Sequence, residues 1–241
     1  MPPATFVGAS AVVASRGATI TLSTPSNVQP RDTLLCFVWS GETNDSTLTT
    51  TVLPNGWSLL STQLNLSGFR NAAWLLRREV TDAEPATHTF NEISTGGGFP
   101  LVAVIVTYRG LNNSAPLVGA DGVSNVAAAP TTQFVCPSQT LTTYSDLYLG
   151  FATDHSAGTS TVPAAATERV DARASTDGLP HLVAFDLLAE STGATGTQIA
   201  TLSTSNFGAA VSYALATLPV LPAPAITPDV PGAIGFVTVG V

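Results

Sequence analysis

Residues 6–10 read FVGAS and residues 117–121 read LVGAD, an offset of 111, and further echoes follow in the same order. TPS at 24–26 meets CPS at 136–138 (offset 112), RDTLLCFVWS from Arg31 meets SDLYLGFATD from Ser145 (offset 114), and PNGWSLLSTQ from Pro54 meets PAAATERVDA from Pro163 (offset 109). AAWLLRREVTDAEPATHTF from Ala72 meets VAFDLLAESTGATGTQIATL from Val183 (offset 111), and LVAVIVTYRGL ending at Leu111 meets FGAAVSYALATL ending at Leu218 (offset 107). Ordered matches whose offsets drift only as small loop insertions would are the mark of internal repetition. A composition rich in Val, Gly and Ala produces chance matches, but it does not keep them in order. The chain therefore reads as two tandem pseudo-repeats, 1–112 and 113–218, followed by a segment, 219–241, that belongs to neither.

Within each unit the apolar residues alternate with a period of two, as in half-buried strands, and no stretch sustains the i, i+3, i+4, i+7 spacing of a helix. AVIVTY at 103–108 and LYLGFA at 147–152 have strand length, while SGETNDS, LPNG, STGGGFP, GLNNSAP and STGATGT are loops by their Gly, Pro, Asn and Ser content. The fold class is all-β: a jelly-roll-like β-sandwich built from two pseudo-repeats of about seven strands each, with an extended C-terminal arm. Two architectures satisfy this pattern, one in which each repeat closes its own sandwich and one in which the two interleave into a single larger sandwich. The junction GLNNSAP is too short for a free linker and favours one compact body.

Charge narrows the partners. Only 10% of the residues are charged, all eight basic residues are Arg, and the net charge is −8 with a pI near 4.6. Phosphate binding needs clustered positive charge, and Arg77-Arg78 is the one adjacent basic pair, so nucleic acid is a poor partner. The opening MPPATFVGAS has neither the basic nor the apolar region of a signal peptide, and no apolar run is long enough to span a bilayer. Synthesis in a cytoplasm, without membrane insertion, is the expectation. Cys36 and Cys136 sit in apolar strand-like settings, where buried free thiols are the simpler reading and a disulfide the other.

The segment PVLPAPAITPDVPGAIGFVTVGV carries prolines at 219, 222, 224, 228 and 231, which favour an extended path. It then ends on an uncharged strand-like run, and Asp229 is its one ionisable side chain. Such a strand needs cover. It folds back on its own sandwich, or it serves as an assembly arm that adds to a neighbouring subunit through Ile226, Ile234, Phe236, Val237 and Val239. The arm is the favoured reading, and it implies a homo-oligomer.

Catalytic patterns are weak. His88, His155 and His181 stand in no metal-ligand spacing, and no C-x-x-C or G-x-S-x-G motif occurs. Asp154, His155, Asp177 and His181 could be imagined as a hydrolytic cluster, and Glu79, Asp82, Glu84 and Glu92 as a source of paired carboxylates, but TDAE reads more naturally as an acidic turn. GGG at 96–98 reads as a loop tip, because no helix follows it to complete a phosphate site. Trp39 and Trp57 are candidate glycan-stacking platforms, although core packing is the commoner fate of a strand tryptophan. No catalytic, cofactor-binding or metal-ligating residue is assigned.

The segments DTLLCFV (32–38), PNGW (54–57), WLLRREVTDAEPATHTF (74–90) and VTYRGL (106–111) followed by Pro116, with SDLYLGF and PAAATER more loosely, resemble a β-sandwich unit that recurs in virion proteins of tailed bacteriophages, especially those of GC-rich hosts, and in secreted proteins of those bacteria. The resemblance runs from about residue 4 to 218 and leaves the last segment out. It implies a non-enzymatic virion component, a capsid-decorating, fibre or tail-associated protein made in the host cytoplasm and contacting other capsid or tail proteins. It carries no catalytic residues and no cofactor. The alternative is a carbohydrate-binding or adhesive module that attaches to host-surface glycans, and a lytic or secreted enzyme is the third reading.

Overall fold

The computed structural model describes residues 4–15, 19–40, 53–64, 72–90, 101–118, 131–143, 146–154, 159–173, 181–188, 192–206 and 208–218. Among these there is no helix. The strands up to residue 112 are β1 (Thr5–Ala9), β2 (Val13–Ser15), β3 (Ile20–Ser23), β4 (Thr33–Ser40), β5 (Ser58–Leu64), β6 (Ala72–Glu79), β7 (Thr87–Phe90) and β8 (Leu101–Arg109). Those after it are β9 (Thr131–Cys136), β10 (Thr140–Leu141), β11 (Leu147–Asp154), β12 (Ser160–Thr161), β13 (Thr167–Arg173), β14 (His181–Leu188), β15 (Gly193–Ala194), β16 (Gln198–Asn206) and β17 (Gly208–Leu215). The arm residues Ile226, Ile234, Phe236, Val237 and Val239, together with His155, Asp177, Glu92 and Gly96–Gly98, lie outside the described residues.

Two central sheets carry the molecule. One runs β1-β8-β4-β6-β5, with β2 also paired to β8, and the other runs β13-β14-β11-β17. Both are antiparallel throughout. Side chains alternate across a strand, so each face of β4 belongs to a different core. Leu35, Phe37 and Trp39 point into the middle of the molecule with Val102, Val104 and Val106 of β8, and they meet Leu149, Phe151, Val211 and Tyr213 of the other sheet. Phe37 and Phe151 stack at 4.1 Å between centroids, at the heart of this shared core. Leu34, Cys36 and Val38 point the other way, into a second core closed by Ile20, Leu22 and Phe90 of the β3-β7 sheet. A third core lies on the far side of the other central sheet, where Tyr148, Val183 and Phe185 meet Phe134 of β9 and Ala200 and Leu202 of β16. The result is four stacked β layers. This is why TLLCFVWS is buried at every position: a strand covered on both faces has no solvent side to keep polar.

The register of the two halves corresponds position by position. Thr33 of β4 lies opposite Glu79 and Tyr108, and Leu147 of β11 lies opposite Leu188 and Leu215. At the other end Ser40 faces Ala72 and Leu101, and Asp154 faces His181 and Gly208. The neighbouring edge strands slip register at matching places, between Leu59 and Ser61 in β5 and between Glu168 and Val170 in β13.

The turns correspond too. Asp32 accepts the Gln29 N–H at 2.8 Å just before β4, and Asp146 accepts the Thr143 N–H at 2.9 Å just before β11. The Trp57 N–H closes on the Pro54 carbonyl ahead of β5, as the Ala166 N–H closes on Pro163 ahead of β13. The halves also join where Leu111 bridges Thr217, and within the second half Leu117 bridges Leu215 as β1 pairs with β8 in the first.

Candidate functional site

Charged and polar side chains gather at three places. The first is the turn from β6 to β7, the TDAE of the sequence. Arg78 reaches from β6 and donates through Nε to Glu84 Oε1 at 2.6 Å and through Nη2 to Glu84 Oε2 at 3.2 Å, with Nη1 on the Asn55 carbonyl. Glu84 also accepts the Thr81 N–H, which makes TDAE a closed acidic turn. His88 lies beneath it, 3% exposed. Its Nδ1 accepts the Trp57 indole N–H at 3.2 Å, so the ring proton belongs on Nε2, which faces Thr24 Oγ1 at 3.1 Å and Glu84 Oε1 at 3.3 Å. Burial lowers the His88 pKa from its ordinary value, outweighing the pull of Glu84 toward the charged form, while Arg78 lowers it further. Both ring nitrogens are engaged inside the fold, so this histidine braces a turn and offers no base to solvent.

The second place is the corner where β1 crosses the ends of β13 and β14. Tyr108, fully buried on β8, donates its hydroxyl to Asp186 Oδ2 at 2.7 Å, and Arg169 Nε donates to the same oxygen at 2.7 Å. The guanidinium lies over the Phe6 ring, 4.7 Å from its centroid. Burial pushes the Tyr108 pKa up, and the Asp186 carboxylate pushes it further, so the phenol stays neutral. In front of this network opens a cleft of about 340 Å³ lined by Ala4, Phe6, Leu147, Arg169, Asp186 and Leu188 among others. Leu188 is 40% exposed at this cleft.

This corner breaks the correspondence between the halves. The position facing Leu149 is Asp186, while the equivalent position facing Leu35 is Arg77. Likewise Tyr108, opposite Thr33, answers to Leu215, opposite Leu147. Among the described residues the equivalents of Asp186 and Tyr108 cannot form the same network in the other half.

The third place is β13–β14, where His181 Nε2 sits 2.5 Å from Asp171 Oδ1. Glu168, on the same strand as Asp171, has its pKa raised by burial and then by Asp171, with His181 opposing. Of the imagined hydrolytic cluster, Asp154 lies opposite His181 in the strand register, and the His181 side chain meets Asp171. Glu79 and Asp82 are exposed and Glu84 is bound up with Arg78, so these three described carboxylates form no pair set apart from the turn. No group of His, Cys, Asp and Glu that could hold a metal ion occurs among the described residues.

The two candidate stacking tryptophans are placed inside. Trp39 is 0% exposed and belongs to the core shared by the central sheets. Trp57 is 7% exposed, its ring meeting His88 and Phe90 edge-on at 5.1 Å. Neither presents an indole face to a sugar, which corrects the glycan-contact expectation for both: central β4 has no solvent side, and the Asn55-Gly56 turn swings Trp57 inward. Cys36 and Cys136 are buried free thiols. The Tyr108–Asp186–Arg169 network went unread in the sequence because Tyr108 lies 78 residues before Asp186, and no local motif links Asp186 to Arg169 on the preceding strand. Comparison of the chain with protein-family models, curated proteins and solved structures gives no match.

Proposed function

We propose that the chain is a duplicated jelly-roll scaffold that serves as a structural component of a tailed-bacteriophage particle, on capsid or tail. It is made in the host cytoplasm and assembles with further copies and with other virion proteins through residues 219–241. The observation that carries this reading is what the resemblance residues do. Asp32 ties Arg109 in a two-pronged ion pair, both bonds 2.8 Å, while its backbone closes the turn before β4. Asn55-Gly56 turns the chain toward buried Trp57, and the residues of WLLRREVTDAEPATH supply Arg78, Glu84 and His88 to one internal brace. Asp32, Trp57, Arg78, Glu84 and His88 turn their functional groups inward to hold turns of the scaffold, as a structural signature requires, while Glu79 and Asp82 of the same segments stay exposed.

The strand orders support the jelly-roll part of the reading. In each half the first segment pairs with the last strand, which lies beside the strand opening the next hairpin, and the intervening strands cross to the facing sheet. Matched registers, matched bulges and matched Asp turns support the duplication.

Mass spectrometry of purified particles tests the function. The chain should co-purify with particles at a fixed ratio to the major capsid or tail protein. Its confinement to the soluble lysate, with none in particles, would refute the proposal. A chain lacking 220–241 should remain folded and drop out of particles.

A further inference from the structure

We infer that the cleft at the β1–β13–β14 corner is the acceptor for the 219–241 segment of a second copy, and that the exchange is reciprocal and closes a two-fold dimer. The inference rests on the assembly-arm reading above and names the surface that this reading leaves open. Three observations converge on it. The cleft is walled by apolar groups, with Leu188 40% exposed, and the buried network of Tyr108, Asp186 and Arg169 fixes its floor. That network neutralises its own charges, which suits a segment whose one ionisable side chain is Asp229. The Phe6 ring and the Arg169 guanidinium above it form a flat platform of the kind proline-rich segments dock on, and residues 219–231 carry five prolines.

The place where the described chain stops supplies the partner. Leu218, itself 40% exposed, donates its N–H to the Gly110 carbonyl at 3.0 Å, and Gly110 packs beside Ala4 of the cleft wall. Three residues earlier, Leu215 is the strand partner of Leu147, another cleft residue. The 219–241 segment therefore leaves from the rim of its own cleft. Prolines at 219, 222 and 224 favour an extended path over a tight return, which favours the cleft of a second copy over the chain's own. When donor and acceptor lie side by side, a two-fold axis beside that rim places each arm at the other's cleft, and the contact closes instead of propagating as a filament.

The test uses the full chain with a photo-crosslinking residue at Ile226 or Phe236, mixed from isotope-labelled and unlabelled preparations, with Leu188→Glu and Leu59→Glu variants measured by sedimentation. Leu59 is 42% exposed on edge strand β5 and lines no part of the cleft, so it controls for added surface charge. Crosslinks should join Ile226 or Phe236 of one copy to β1 or β14 of the oppositely labelled copy. Leu188→Glu should weaken dimerisation by about 10- to 100-fold, the loss of one buried leucine contact, while Leu59→Glu leaves it unchanged. Crosslinks that land elsewhere on the second copy, or unchanged dimerisation in Leu188→Glu, would overturn the acceptor site while sparing the arm. Crosslinks found only within one copy, or none at all to a second copy, would overturn the arm itself.

Discussion

If the two halves are copies of one plan, a side-chain pair moved from one half to its equivalent place in the other should fit as a pair and fail as single residues. Gly150 of β11 lies opposite Phe185 of β14, and a Cβ at Gly150 would stand 2.5 Å from the Phe185 ring. The equivalent pair in the first half is Cys36 opposite Leu76, both on the outward face toward the second core. One half thus fills the slot with none and large, the other with small and medium. Gly150→Cys alone forces the ring aside, at about 1–3 kcal/mol for overpacking. Phe185→Leu alone empties part of a core where losing the whole ring would cost about 3–5 kcal/mol, so it should cost about 1–2 kcal/mol. Together they rebuild the first half's pair, and the double variant should lose only about 1 kcal/mol, a favourable coupling of about 2 kcal/mol. Urea unfolding under reducing conditions, followed by tryptophan fluorescence, gives the three midpoints at constant m. Additivity of the two single losses to within about 0.5 kcal/mol would refute the equivalence of the two slots.

Four shorter predictions accompany it. Tyr108→Phe removes one of two donors from buried Asp186 and should cost about 1–3 kcal/mol by the same unfolding assay. Gly56, at φ +82° and with Arg78 occupying the space where a Cβ would stand, should not tolerate Gly56→Ala, which loses the turn and the Arg78–Glu84 brace and lowers the melting temperature by several degrees. His88 has a lowered folded pKa, so as pH falls the unfolded chain binds the proton first; stability should be full above about pH 6.5 and decline below it, and His88→Gln should flatten that decline. Burial pushes the Cys136 thiol up to about 12 and the Cys36 thiol up as well, so neither should react with a thiol reagent in the native protein at pH 8, and both should react in denaturant.

Much of the fold could be read from the chain, and the misses have physical causes. Asn55-Gly56 and Arg109-Gly110 carry the glycines that left-handed turns call for, and Gly56 and Gly110 sit at φ +82° and +90°. The sequence match of 72–90 to 183–202 falls two residues from the structural correspondence, which sets Ala72 against His181 rather than Val183. A strand's side-chain period is two, so a slip of two residues leaves the inward and outward pattern intact and alternation cannot detect it. The expectation of about seven strands per unit fell short, because the described chain adds short ones such as β2, β10, β12 and β15 that leave almost no alternation to read. Trp39 on an alternating strand and Trp57 after Asn-Gly are stacking candidates by sequence, and both lie in the interior. Burial on both faces of β4 depends on a sheet contributed by the other half, which no local pattern encodes.

The account depends most on the shared middle core, where Phe37 of one half stacks on Phe151 of the other. Native-state hydrogen exchange of a Phe37→Leu variant tests it directly. The amides of β4 and β11 should lose protection by the same amount, because the halves open as one unit. Loss confined to β4, with β11 as protected as in the parent chain, would contradict it.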